Sequence, residues 1–374
     1  MKFAKVLRVG VACLSLLGMA ACNKGGGAEL AVVTDVGSIN DHSFNEACYK
    51  GMVDYAESAK KSYAYYQPTE NSTANRVATI ETAISKGAKT VVLPGYLFNS
   101  SIKQVQDKHP NVNFLAIDCD PSDDDNGYTP YNFSKNVTSL KYQEEQSGFF
   151  AGYAAVAEGY TKIGFLGGMA VPAVVKYGQG YLYGANKAAE DLGLNGKVDV
   201  NYWYCGGFAP TDAIATKMQG WYESGTQVIF SCGGGIYSSC LTAAAKSSNK
   251  KVIGVDVDQS SESELIITSA MKNMRVTVKD YLTKLYASQT GSWPADYAGK
   301  SLTLGASQNA VGLPTEKYNL NGKEVDPWRM TNFTKTTYNS LYTQVQNGTI
   351  SVPVITSEDA HVTSFTKLTV NYQK

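Results

Sequence analysis

From residue 30 onward, short apolar runs take turns with longer stretches in which apolar positions recur every three or four residues. The runs "LAVVTDV", "SYAYYQPT", "KTVVLPG" and "NFLAIDCD" are followed by a second series, "KIGFLGG", "VDVNYWYCGG", "TQVIFSCGG" and "KVIGVDVDQ". Each is apolar without clean alternation, the pattern of a strand covered on both faces. Between them, "ANRVATIETAISKG" and "PTDAIATKMQGWYESG" carry a helical period, opened by Asn or by Thr and Asp and closed by Gly. Strand and helix in rotation predict an α/β protein with parallel sheets built from crossovers.

The two sets of strands lie on either side of "SKNVTSLKYQEEQSGFFAGYAAVAEGY", the expected passage from a first lobe to a second. The later segments "LIITSAMK", "TVKDYLTKLYAS" and "SLTLGA" fit neither lobe's sequence order, so the chain is expected to recross twice. That divides it into an N-terminal lobe of 30–137 with 270–308 and a C-terminal lobe of 138–269 with 309–374, and 374 residues suit two cores better than one. A cleft between lobes is the default binding site. Open parallel sheets bind ligands beyond the carboxyl ends of their strands, and Asp35, Asp118 and Asp256 stand at three such ends. One aspartate at a strand-to-helix turn is ordinary; three with flanking aromatics favour a ligand.

The opening "MKFAKVLRVGVACLSLLGMAACNKGGG" puts Lys2, Lys5 and Arg8 before an apolar stretch from Val9 to Met19 that is far shorter than a spanning helix. It reads as an export signal over 1–21, with a glycine-rich tether over 22–29. "MAAC" resembles a lipobox, which would make Cys22 the lipidated first residue, against a plain cleavage after Ala21. A lipid there holds the domain at the extracytoplasmic face of the cell membrane. Without the three leader cations, 30 basic side chains face 33 acidic ones, so no basic field draws in nucleic acid. The five remaining cysteines, Cys48, Cys119, Cys205, Cys232 and Cys240, lack any C-x-x-C spacing, which argues against a zinc cage and leaves their pairing open.

Taken together, "TDVGSINDHSFNEACYKG", "FLAIDCD", "EEQSGFFAGYAA", "IGFLGGMAVPAVVKYGQGYLYGA", "GVDVDQ", "TSAMK" and "AVGLP" resemble the basic membrane lipoprotein family, the purine nucleoside-binding lipoproteins of bacterial ABC importers. The resemblance covers about residues 30 to 360. It implies a type I periplasmic-binding-protein fold: two doubly wound parallel-sheet lobes, joined by hinge crossovers, that close on a nucleoside of the inosine, guanosine or adenosine class and pass it to an ABC permease. By motif match it assigns Asp35, Phe44 and Asn45 to an acid, a base-stacking ring and a neighbouring amide, and Asp118 to the acid on the purine edge. Tyr177 falls where the family usually has Phe as a second stacking ring; Gly234 and Gly235 match a glycine pair, and Asp256 with Lys272 a ribose-binding acid and base. The chain departs from the pattern in three places. "IYSS" replaces the usual Thr-Gly-Asn-Gly after the glycine pair, Tyr177 adds a hydroxyl, and Ala170 stands where an acid is frequent.

A nucleoside suits such a set, because a flat ring stacks on aromatics while a diol donates to carboxylates. Lys272 is expected to offset Asp256 and to donate to a ribose oxygen. The expected protein is a monomer without cofactor, metal or catalytic residues. "CGGGIYSSC" lacks the lysine of a phosphate loop, and no G-x-S-x-G elbow occurs. "DCDPSDDDNG" misses the calcium-loop spacing and reads as an exposed acidic turn, as His42 reads as a solvent-facing turn residue. Two rivals remain: a sugar or autoinducer receptor on the same fold, and an exported nucleoside hydrolase.

Overall fold

The computed structural model describes residues 23–24, 27–124 and 129–373; the expected signal segment and Cys22 lie outside them, as do residues 125–127 of the acidic turn and the tyrosine that follows. Strands β1 (Leu30–Val33), β2 (Tyr63–Tyr66), β3 (Thr90–Pro94), β4 (Asn113–Ile117) and β5 (Val137–Tyr142) form the first lobe. Strands β6 (Lys162–Gly167), β7 (Val198–Tyr204), β8 (Val228–Cys232), β9 (Lys251–Asp256) and β10 (Ile266–Lys272) form the second. The chain then returns to the first sheet as β11 (Lys300–Leu304) and ends in the second as β12 (Val311–Gly312) and β13 (Leu368–Gln373).

The first sheet runs β2, β1, β3, β4, β5, β11, all parallel, with the short strand Asn23–Lys24 outside β2. The second runs β12, β10, β9, β8, β6, β7, β13, parallel except for the β12 edge. The unbroken apolar runs are explained by burial on both faces. In β1, Leu30 and Val32 pack into one core cluster, while Ala31 and Val33 pack into another on the opposite face.

The helices are α1 (Phe44–Ser58), α2 (Thr73–Ser85), α3 (Asn99–Val105), α4 (Glu144–Ala157), α5 (Pro172–Asp191), α6 (Asp212–Glu223), α7 (Tyr237–Ala244), α8 (Met274–Ala287) and α9 (Lys335–Gln346). Thr211 accepts from the Ile214 amide at 3.2 Å and starts α6 as expected, whereas α2 is capped by Ser72, which accepts from the Asn75 amide at 3.2 Å, and Asn75 itself lies inside the helix. Helices α4 and α5 approach unusually closely, through Gly148 and Gly152 on one and Gly180 and Gly184 on the other. A Cβ on Gly152 would stand 1.9 Å from the Tyr181 carbonyl oxygen, so only glycine fits.

The chain passes between lobes after β5, after β10 and after β11, as one crossing followed by two recrossings. The first two passages fall slightly beyond the expected boundaries at 137/138 and 269/270. Residues 138–142 complete a strand of the first sheet and residues 270–272 complete one of the second. Helix α8 then lies back on α1, where Arg275 and Asp54 pair at 2.6 Å. The five cysteines are all free thiols. Among the described residues no helix is long and apolar enough to cross a membrane.

Candidate functional site

Helix α1 begins at the cleft with an exchange of duties. Asp41 accepts from the amides of Ser43, Asn45 and Glu46 at 2.9, 3.0 and 3.1 Å, and so caps the helix. Ser43 occupies the cap position but makes no side-chain cap bond. Its Oγ donates instead to Asp256 Oδ2, at 2.7 Å, on the opposite lobe. A second bridge runs from Gln259 Nε2 to the His42 carbonyl at 2.9 Å. The structure is thus closed by direct polar contacts between lobes.

The strand ends match across the two lobes. Asp118 follows β4 and Asp256 ends β9, with left-handed φ values of 53° and 66°. Non-glycine residues rarely adopt that conformation, which marks sites held by their surroundings. After β3 and β8 the chain turns at Gly95 and Gly233, φ 116° and 147°. Gly234 and Gly235 then enter a short turn before α7, and the Gly235 amide donates to the Phe208 carbonyl at 2.9 Å.

At the hinge side, Lys272 is buried and its Nζ lies 2.6 Å from Asp118, 3.2 Å from Glu144 and 3.7 Å from Asp256. Sequence reasoning pairs it with Asp256; Asp118 is the nearer partner. Burial opposes the ammonium, but the three carboxylates outweigh it and hold Lys272 well above its ordinary pKa. Burial lifts Asp118 to about 7 against the pull of Lys272. The Asp256 carboxyl is also raised, again by burial. Glu144 is buried too, yet Lys176 and Lys272 together keep its carboxyl below the usual range.

Asp35 stands apart from this cluster. It accepts from the Gly37 amide at 2.6 Å and from Asn45 Nδ2 at 3.0 Å, and burial raises its pKa. Phe44 lies between the two groups. Lys272 Nζ is 4.6 Å from its ring centroid, while a Cβ on Gly95 would be 3.8 Å from its ring and 3.7 Å from Asp35 Oδ2. Tyr177 is fully buried, edge-on to Phe230 at 5.9 Å, with its hydroxyl 3.3 Å from the Ala270 carbonyl and 3.5 Å from Asp256 Oδ1.

One interlobe cleft of about 630 Å³ is walled by Asp35, Phe44, Asn45 and Asp118 from the first lobe, and by Tyr177, Gly234, Gly235, Asp256 and Lys272 from the second. The structure therefore gathers all the ligand-site positions selected from the sequence. Sequence reasoning misses Phe208, which also lines the cleft, and two residues behind its wall, Ser43 bonded to Asp256 and Glu144 paired with Lys272. Ser43 and Glu144 lie inside motifs whose signal comes from their neighbours, and "GGFAP" looks like an ordinary loop. His42 is solvent-facing, 3.4 Å from Glu46 and 3.6 Å from Glu262. Among the described residues no group of His, Cys, Asp and Glu is placed to hold a metal ion.

Residues 28–341 match the family model described as ABC transporter substrate-binding protein PnrA-like. The chain is 27% identical over 303 residues to the ABC transporter nucleoside-binding protein BmpA of Lactococcus lactis, covering 76% of this chain and 80% of that one. It is 29% identical to basic membrane protein A1 of Borrelia garinii, covering 75% and 80%, and 26% identical to an uncharacterized lipoprotein of Pyrococcus abyssi, covering 82% and 76%. A solute-binding protein of an ABC transporter system from Aeropyrum pernix shares the fold, with a TM-score of 0.73 at 20% identity over 89% of this chain and 95% of that one.

Proposed function

The chain belongs to the Bmp family of PnrA-like ABC transporter substrate-binding proteins, and on that premise we propose that it captures a purine nucleoside between its lobes and delivers it to an ABC permease. The lipid on Cys22 keeps it at the outer face of the membrane. The observation that carries this reading is the pairing of an aromatic face with a buried charge cluster in one cleft: Phe44 lies directly beside the Lys272 group.

The pentose belongs at the hinge. Its hydroxyls donate to Asp256, and Lys272 donates to a ring or hydroxyl oxygen; Asp118, 2.6 Å from Lys272 Nζ, joins this pentose group in place of the purine edge to which the resemblance assigns it. The heterocycle lies on Phe44, with Tyr177 and the half-buried Phe208 as candidates for the facing wall. A base on an aromatic ring is worth about 1 to 3 kcal/mol by truncation. Because the ligand touches both lobes, its binding favours the closed arrangement. Asp118, Glu144 and Asp256 outnumber the two ammoniums paired with them, Lys272 and Lys176, so the cluster offers a phosphate no spare cation and the free nucleoside is selected over the nucleotide.

Isothermal titration against inosine, guanosine, adenosine, cytidine, ribose and free bases tests the reading. Micromolar or tighter binding of a purine nucleoside, with ribose weaker, is expected; no nucleoside binding, or ribose tighter than inosine, overturns it. Inosine incubated with the protein is expected back intact, and released hypoxanthine would point to hydrolysis.

A further inference from the structure

Of the two ammoniums paired with Glu144, Lys272 lines the cleft and Lys176 does not. The Lys176 side chain is nevertheless only 12% exposed, held by an ion pair to Glu144 and by a 2.6 Å hydrogen bond from its Nζ to the Tyr142 carbonyl. A cation withdrawn from water is costly unless partners hold it. Both of these partners stand at the first passage between lobes: Tyr142 ends β5 and Glu144 opens α4.

The close contact of α4 with α5 fixes that placement. Gly148 lies one turn beyond Glu144 on α4, and a Cβ there would stand 2.1 Å from the Tyr177 carbonyl oxygen. The α5 backbone at Tyr177 is pressed against α4, and the adjoining Lys176 is thereby delivered to Glu144. Glu144 then divides its oxygens, Oε2 facing Lys176 and Oε1 lying 3.2 Å from Lys272. Lys272 ends β10, at the second passage, and reaches Asp118 at 2.6 Å and Asp256 at 3.7 Å. A line of alternating charge therefore runs from α5 through α4 into the cleft.

The Glu144 side chain is fully buried, so its charge depends on both ammoniums. Burial works against the carboxylate, and Lys176, ahead of Lys272, counters it. Without Lys176, Lys272 is left between three carboxylates, and Glu144 competes with Asp118 for it. Asp118 is the weaker competitor: burial already raises it to about 7, Lys272 and Lys176 lower it, and Glu144 raises it further. Loss of Lys176 thus favours a proton on Asp118 and turns the ammonium of Lys272 away from the cleft.

Resting on the nucleoside reading above, we infer that Lys176 is a positioning residue for the ligand: by pairing with Glu144 from behind the wall, it leaves Lys272 and Asp118 directed at the pentose. Its charge matters here and its bulk does not, so the requirement for it disappears once Glu144 is neutral. Removing Lys176 and the Glu144 charge together leaves Lys272 with Asp118 and Asp256, the same net charge as the full set of two ammoniums and three carboxylates.

The test titrates inosine, guanosine and adenosine into the full chain at pH 6, 7 and 8 by calorimetry. Lys176→Met is expected to weaken each nucleoside that binds by at least tenfold at pH 7, with a loss that shrinks as pH rises and Asp118 ionises. A packing defect would weaken binding alike at every pH. Lys176→Met combined with Glu144→Gln is expected to bind within threefold of the unaltered protein. Should Lys176→Met fail to fold, the double variant carries the test, and binding tenfold weaker than the unaltered protein overturns the inference. It is also overturned if Lys176→Met binds within threefold at pH 7, if its loss is equal at all three pH values, or if the double variant binds no better than Lys176→Met. Failure of every nucleoside with the unaltered protein overturns the nucleoside reading and this inference with it, whereas nucleoside binding that Lys176→Met leaves unchanged removes the inference alone.

Discussion

Ser43 and Asp256 join the two lobes directly: the hydroxyl of a helix-capping position reaches 2.7 Å across the cleft to a strand-end carboxylate, while Asp41 does the capping. A hydrogen bond to a charged group contributes about 1.5 to 3 kcal/mol. Ser43→Ala is therefore expected to destabilise the closed form and weaken nucleoside affinity by about tenfold or more. Helix α1 should remain formed, since its cap is elsewhere. Titration calorimetry with far-ultraviolet circular dichroism checks both halves, and an unchanged Kd would remove this contact from the closing mechanism.

Phe44 and Asp256 serve different parts of the proposed ligand. Phe44→Ala and Asp256→Ala are each expected to weaken nucleoside binding at least tenfold without unfolding either lobe. Free base should suffer from the first change and hardly from the second, because it has no pentose. Equal losses for base and nucleoside in both variants would misplace the two roles.

Glu145 lies on the first turn of α4, buried, with one carboxylate oxygen lacking a hydrogen-bond partner. Burial, aided by Glu144 and opposed by Lys176, lifts its pKa to about 7 from an ordinary 4.5. The folded state thus holds a proton that the unfolded chain releases. Stability from this group is full below about pH 4.5 and is lost as pH rises through about 7. Glu145→Gln mimics the protonated form, so its Tm should match the unaltered protein near pH 5 and exceed it at pH 8. Identical Tm values at both pH values would refute the shift.

The glycine contact between α4 and α5 admits no side chain. Gly152→Ala forces a Cβ towards the Tyr181 carbonyl, 1.9 Å away in the present backbone, and overpacking of this kind costs about 1 to 3 kcal/mol or more. A drop in Tm is expected, together with weaker nucleoside binding because α5 carries Tyr177. Chemical denaturation measures the first effect. A variant as stable as the parent would show that the helices can separate freely.

Much of the fold is readable in the sequence because it depends on burial. Strands covered on both faces must be apolar throughout, and "LAVVTDV" or "KTVVLPG" announces itself. Val137–Tyr142 is harder to see as a strand because "VTSLKY" is polar at half its positions; Thr138 and Ser139 are buried all the same, with their hydroxyls bonded to the carbonyls of Tyr297 and Cys119. The C-terminal strand Leu368–Gln373 is equally hidden, since an edge strand beside β7 needs little apolar surface. At the cleft, residues that end strands are legible by position. Ser43 and Glu144 are not, because what distinguishes them is a partner more than a hundred residues away.

Asp118 and Asp256 hold left-handed backbone angles that glycine or asparagine would adopt with less strain. Selection for heat resistance alone would pull those two codons towards the easier residues, and sequencing the survivors of such a screen would show it. Each step gained in robustness would remove one of the two acids proposed to hold the pentose, so persistence of aspartate at both places in a lineage would record continued selection for that ligand.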